Sequence, residues 1–258
     1  MNGFILHLQG PMMSFGDTGF GQLRPAGEFP SRSAVLGIIA AALGLERGSS
    51  RLLELHREIR IHVATVAAGT TSIDYHTVSA AGYAEYDPVR LRRTGIAGTN
   101  PVLTDRTYHL DAHFVALVES GNEAMIDECR RALENPVFTG YLGRRSCPPA
   151  TPLRPIEPVV TTVRGALAES VITAHEIRRK ARRGWDRPTL QFIDLYLDGE
   201  LPHEESGHHW MPMVRSFRRD LLTALPRSYV NRPVIHERAT LDAIPPSLTT
   251  EEAFNDAP

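Results

Sequence analysis

Guanidinium groups supply nearly all of the cationic chemistry open to this chain: Lys180 is the only lysine among 28 basic residues, and the other 27 are arginines. A planar guanidinium fork suits phosphates and nucleobase edges and stacks on rings. The arginines come in blocks: Arg90, Arg92 and Arg93; Arg144 and Arg145; Arg178, Arg179, Arg182, Arg183 and Arg187. A formal net charge of −2 over 258 residues argues against a generic nucleic-acid binder. Local basic blocks in a near-neutral chain fit a protein that puts one face on an anionic polymer and others on protein neighbours. Ordinary solvated helix faces carry similar blocks.

Four places combine cations with hydroxyls or rings. Ser31, Arg32 and Ser33 open an apolar helix expected over 33–45. A helix N-terminus presents unpaired N–H groups and the positive end of the macrodipole, so these residues form an anion site, with phosphate the usual occupant. The plainer reading is a capped core helix without a ligand. Tyr141, Arg144 and Arg145 surround Gly143, where the backbone can approach a phosphate closely while cations reach it; Cys147-Pro148-Pro149 stiffens the loop. Arg24 lies in a glycine-rich loop over 12–29. Tyr75, His76, Thr104, Arg106 and Tyr108 frame an insertion over 69–105 that also holds Arg90, Arg92 and Arg93. Rings that stack on bases and guanidinium groups that hold phosphates are what single-stranded RNA requires; a hairpin for protein contact is the competing reading.

Other chemistries lack their patterns. His203, His208 and His209 sit near Glu204 and Glu205 without a HExxH spacing, and Cys147 has no second thiolate nearby, so no metal site is expected. There is no Walker A sequence, nucleophile elbow or Rossmann fingerprint, and no cofactor is expected. His7, His76, His109, His113 and His175 are candidates for metal-free RNA cleavage, but nothing in the sequence pairs them. Two cysteines are too few for a disulfide framework, and Met1-Asn2-Gly3 runs into an apolar segment without a basic leader region, so a reducing cytoplasm is expected. The apolar run after Ser33 is too short for a bilayer.

The elements that must position these residues follow from periodicity. Strands are expected over 3–8, 59–67 and 107–119, helices over 33–45 and 121–133, with a further amphipathic piece over 51–55. The order strand, helix, strand, insertion, strand, helix is five-sixths of a βαββαβ ferredoxin-like unit of the α+β class. Its last strand would come from 159–163 or from the run near Val171. The chain divides into a core over 1–165 carrying the 69–105 insertion, a β-rich extension over 166–240 packed on that core, and a tail over 241–258 expected to be disordered.

Several blocks, in their order and spacing, resemble the CasD subunit family of the type I-E CRISPR Cascade complex. They are Gln9-Gly10-Pro11-Met12, Arg24-Pro25, Phe29-Pro30-Ser31-Arg32-Ser33-Ala34-Val35-Leu36-Gly37, Asp74-Tyr75-His76-Thr77-Val78, Thr104-Asp105-Arg106-Thr107-Tyr108 and Tyr141-Leu142-Gly143-Arg144-Arg145-Ser146-Cys147-Pro148. Gly207-His208-His209 and Leu225-Pro226-Arg227 are similar to that family's C-terminal part. The resemblance implies an RRM-related RAMP core with a β-hairpin thumb at 69–105. It implies a subunit that holds the five-prime handle of CRISPR RNA, joins the backbone subunit to the large subunit, meets target DNA only through the guide and has no membrane role. It also implies that the chain is not catalytic, because another subunit cuts the precursor RNA; a sister family in type I-C systems does cleave it, which keeps an endoribonuclease as the alternative. On this reading Arg24, Ser31, Arg32, Ser33, Tyr75, His76, Thr104, Arg106, Tyr108, Tyr141, Arg144 and Arg145 are the expected RNA contacts. A third reading is a protein adaptor whose arginines touch only acidic neighbours.

Overall fold

A computed structural model describes residues 1–17, 19, 21–78, 102–181, 190–199, 211–224 and 228–240. Strand β1 (Gly3–Gln9) alternates sharply: Phe4, Leu6 and Leu8 enter one apolar cluster and Ile5 enters another. A strand whose two faces are both apolar must be covered on both sides. β1 pairs with β7 (His113–Ser120), β7 with β4 (Ile59–Ala67), β4 with β8 (Phe192–Asp198), β8 with β10 (Ser228–Thr240) and β10 with β9 (Met211–Ala224), all antiparallel. One face of this six-stranded sheet carries α1 (Arg32–Ala42) and α3 (Glu123–Glu134), and α2 (Ser50–Glu58) leads into β4. The other face carries α4 (Val163–Ala181).

Local chemistry sets the helix ends. The Ser31 hydroxyl accepts from the Ala34 N–H at 3.3 Å, and Asn122 accepts from Met125 N–H at 3.2 Å, so both helices start on a side-chain cap. α1 closes with Gly44 N–H to Ala41 O and Leu45 N–H to Ala40 O, a Schellman pattern. In α3, Met125, Ile126, Cys129 and Leu133 form the buried stripe, and burial raises the Cys129 thiol to about 12, which leaves it a packing residue.

A second, smaller sheet is centred on β6 (Val102–Leu110). β5 (Thr70–Val78) pairs along one edge of it, while β2 (Met12–Met13) and β3 (Leu23–Arg24) share the other. The single strand expected over 107–119 is therefore two strands in two sheets, broken at Asp111, which has φ +54°, and Ala112. Across the bend Gly69 has φ +71°, and a Cβ there would lie 2.3 Å from Leu110 O, so no other residue fits. The β5–β6 hairpin leaves the main sheet at this crowded point. Its distal part, including Arg90, Arg92 and Arg93, lies outside the described residues, as do 241–258, Arg182, Arg183, Arg187, the 203–209 histidine group and 225–227.

Two expectations about the C-terminal half are corrected. Residues 159–162 are bends, Val163 opens α4 and Val171 is buried in it, so neither region supplies the last strand of a βαββαβ unit. Among the described residues, the outer edge of β1 receives one bridge, Ile5 to Ile156, with N–H···O distances of 2.8 and 2.9 Å. The boundary at 165/166 falls inside α4, and β8 joins β4 directly, so the later strands extend the first sheet. Buried ion pairs fasten this extension. Arg164 makes a bidentate pair with Glu237 at 2.7 and 2.8 Å, both residues being buried. Phe29 stacks on Tyr196 at 3.6 Å, Tyr196 on His236 at 4.6 Å, and Arg218 lies 4.1 Å over Phe29, tying the glycine-rich loop to β8, β9 and β10. No helix among the described residues is long and apolar enough to cross a membrane.

Candidate nucleic-acid interface

The expected contacts fall into four settings. Arg32 is in the interior. Its Nε lies 3.0 Å from the Asp198 carboxylate, and its other nitrogens meet His56 Nδ1 at 3.1 Å and the carbonyls of His56 and Ile59. The residue is 4% exposed. The anion called for by Arg32 is thus one of the protein's own carboxylates, and the expectation that Arg32 takes a phosphate is corrected. Asp198 also pairs with Arg232 at 3.0 Å and accepts from Ile61 N–H at 3.2 Å, so it joins α1, β4, β8 and β10. Ser31 is buried as the helix cap. His56 lies against the same group. Burial, then the Arg32 and Arg232 charges, push its pKa down to about 4, so it is neutral near pH 7 and its Nδ1 accepts from Arg32.

The second setting is the hairpin. In the β5–β6 register His76 faces Thr104, Asp74 faces Arg106 and Tyr75 faces Asp105. Side chains alternate along a strand, so Tyr75 lies on the face opposite His76, Thr104, Arg106 and Tyr108. Tyr75 is 61% exposed, His76 pairs with Asp74, and Thr104 and Tyr108 are buried. Tyr75 and Tyr108 therefore do not form one stacking surface, and Tyr108 offers its face to Arg144, whose Cζ lies 5.0 Å from the ring centroid.

The third setting brings Arg24, Arg106 and Arg144 together. β3 runs parallel to β6 with Arg24 in register with Arg106. Arg144 Nη2 donates to Arg24 O at 3.2 Å, and Arg106 Nε donates to Thr104 Oγ1 at 3.3 Å. Ser14 anchors the group: its hydroxyl donates to Thr107 O at 2.7 Å and accepts from Arg144 Nε at 2.9 Å. The 141–147 loop is locked onto Ser14 through its N–H to Leu142 O at 3.0 Å. Gly143, at φ +86°, lies so close that a Cβ would be 2.0 Å from Ser14 O. The close approach expected at Gly143 is to this backbone and not to a phosphate. Arg24 and Arg106 are thus register partners, with Arg24 Nη1 donating to the Gly21 and Leu23 carbonyls at 2.5 and 2.9 Å, and Arg144 reaches the Arg24 backbone where the small sheet meets this loop. That arrangement can hold two or three phosphates of a single strand. Ser14 was missed because a hydroxyl in a glycine-rich loop carries no distinguishing signal.

The fourth setting lies across the loop. Ser33, Tyr141 and Arg145 line a groove of about 910 Å³ that runs along α1. Adjacent residues 144 and 145 therefore serve different surfaces.

Among the described residues, the candidate histidines lie apart from these surfaces or are held by other contacts. His7 Nδ1 and His113 Nε2 are 3.0 Å apart on the α4 side of the main sheet. His113 is buried, and burial together with His7 and Arg178 lowers its pKa to about 3. His109 meets Gly27 O at 3.0 Å. Among the described residues there is no group of three or more metal-ligating side chains.

Comparison with known proteins is consistent along most of the chain. A family model described as "CRISPR-associated protein (Cas_Cas5)" matches residues 3–225. "CRISPR system Cascade subunit CasD" of Escherichia coli (strain K12) is 37% identical over 155 residues, which is 58% of this chain and 68% of that protein. A chain of a solved "CRISPR RNA-guided surveillance complex" aligns with TM-score 0.61 and 25% identity, covering 92% of this chain and 90% of the other. A solved "Crystal structure of Cas protein" shares the fold, with TM-score 0.59, 24% identity and coverage of 94% and 97%.

Proposed function

The chain belongs to the CRISPR-associated protein (Cas_Cas5) family, and on that premise we propose that it is a non-catalytic subunit of a Cascade-type surveillance complex that binds the five-prime handle of CRISPR RNA. The observation that carries this reading is that Arg24 pairs in register with Arg106 while Arg144 bonds the Arg24 backbone and lies over Tyr108, which brings three arginines to one edge of the small sheet. RNA phosphates sit on the three guanidinium groups. Unstacked bases expose their edges to the 141–147 loop and to β3, which is where nucleotide preference arises. The β-hairpin leaving the main sheet at Gly69 acts as the thumb, lying over the guide as it passes to a backbone subunit. The half-sheet β1-β7-β4 with its helices is read as a ferredoxin-like RAMP core whose last strand has shrunk to the Ile156 bridge. A large subunit and a backbone subunit are its protein neighbours, target DNA is reached only through the guide, and the complex works in the cytoplasm. No cofactor enters this account.

The test is a salt titration of handle-RNA binding by the assembled complex. Three phosphate contacts give a log–log slope of about −2, at about −0.7 per contact on single strands. Arg24→Ala and Arg106→Ala each weaken binding and flatten the slope by about 0.7. An unchanged slope in both variants contradicts the assignment. Metal-independent cleavage of repeat RNA by the purified chain, abolished by one histidine substitution, would instead favour the endoribonuclease reading.

A further inference from the structure

The groove along α1 has features that the RNA cluster lacks. Its floor is Leu36, Gly37, Ala40 and Ala41, one wall is Leu45 and Leu52, and the other is the segment from Val137 to Tyr141. Val137, Phe138 and Tyr141 are 65%, 52% and 39% exposed, so three large apolar side chains stand in solvent side by side. They do so on a fixed backbone: Val137 N–H donates to Ala42 O at 2.9 Å and Phe138 N–H to Ala41 O at 3.1 Å. A rigid, preformed apolar patch marks an interaction surface. Gly37 supplies a second, independent sign. Glycine within a helix is destabilising relative to alanine, yet a Cβ at Gly37 would meet nothing within 4 Å. The fold of this chain therefore gives no packing reason for glycine there, whereas close approach of another backbone does.

Charge distinguishes the occupants. Among the described residues no aspartate or glutamate lines the groove, while Arg47 and Arg145 do. Both are exposed and make no ion pair among the described residues. Two cations around an aliphatic floor are too few and too apolar a setting for a phosphate backbone, whose guanidinium cluster lies on the other side of the 141–147 loop. They suit an amphipathic helix that lays apolar anchors along a groove and carries acidic residues at its rim.

We propose that the α1 groove docks a short amphipathic helix with acidic flanks, contributed by another protein subunit of the same complex, so that the 141–147 loop separates an RNA face at Arg144 from a protein face at Arg145. This rests on the surveillance-complex reading above, and it reassigns Ser33, Tyr141 and Arg145 from RNA to protein contact.

The test uses the complex assembled from this chain, the other Cascade subunits and guide RNA. One chain carries a photo-crosslinking p-benzoylphenylalanine at position 37. Two others carry Gly37→Trp and the double change Arg47→Glu with Arg145→Glu, each checked for an unchanged melting temperature. The expected crosslink joins position 37 to a peptide of another subunit containing both apolar and acidic residues. Both groove variants are expected to lower that subunit's occupancy at least tenfold while the chain keeps its guide RNA. A crosslink to RNA, to residues 241–258 of the same chain, or to nothing overturns the inference, as does normal occupancy in both variants. Failure of the unsubstituted chain to enter the complex overturns the functional reading itself and this inference with it; entry of the unsubstituted chain with unaffected groove variants overturns the inference alone.

Discussion

At the scale of single residues, the lesson is how little an arginine's position in the sequence says about its partner. Arg32 and Arg144 both stand in short polar motifs beside serines, yet one is sealed against Asp198 and the other lies on a solvent-facing edge. Asp198→Asn leaves two buried guanidinium groups without their shared carboxylate. We expect a loss of about 3–5 kcal/mol in chemical denaturation, with RNA retention by the folded fraction unchanged; weakened RNA binding at unchanged stability would return Arg32 to the interface. His56 gives a pH signature. Its folded pKa of about 4 lies below the ordinary 6.5, so the unfolded chain takes up the proton first as pH falls. Stability from this residue is flat above about 6.5, declines between 6.5 and 4, and levels off below, a span of about 3 kcal/mol. His56→Asn keeps an acceptor for Arg32 and removes the titration. Urea midpoints measured from pH 7 to pH 4 are therefore expected to fall less steeply in the variant, and parallel curves would contradict the assignment.

At the scale of elements, the strands and helices with a clean period were legible and those defined by distant partners were not. β1, β4, α1 and α3 follow from alternation or from the 3.6 repeat with a visible cap. The split of β6 from β7 was hidden because both halves have strand-like composition; only Asp111 at positive φ and Gly69 opposite it create the break. α4 stands where a β-rich extension is expected, although the spacing of Ala166, Leu167, Val171 and Ala174 is that of one helical face against the sheet. The α1 groove adds a prediction at this scale. With open space at position 37, Gly37→Ala is expected to raise stability by about 0.5–1 kcal/mol, read as a higher melting temperature. A loss of stability would mean that the glycine serves the fold of the isolated chain and not a partner.

At the scale of the whole molecule, the six-stranded sheet is a frame with both faces covered by helices, so ligands are left its rims. The candidate site was legible as a list of residue types and illegible as a surface. Arg24, Arg106 and Arg144 are all legible in the sequence as candidates, but their nearness depends on β3 lying parallel beside β6 and on Gly143 packing a loop against Ser14, contacts between segments far apart in the chain. Tyr75 and Tyr108 both flank the insertion in sequence, and strand alternation places them on opposite faces. The central claim is that one edge of this frame grips the leading end of a guide strand by its phosphates and does no chemistry on it. The direct measurement is to place a photo-reactive nucleotide in the five-prime handle of the guide, irradiate the assembled complex and map the attached peptides. The account predicts attachment to residues around Arg24, Arg106 and the 141–147 loop, with the RNA recovered at its original length. Attachment confined to another subunit or to the α4 side of the sheet, or recovery of shortened RNA, would contradict it.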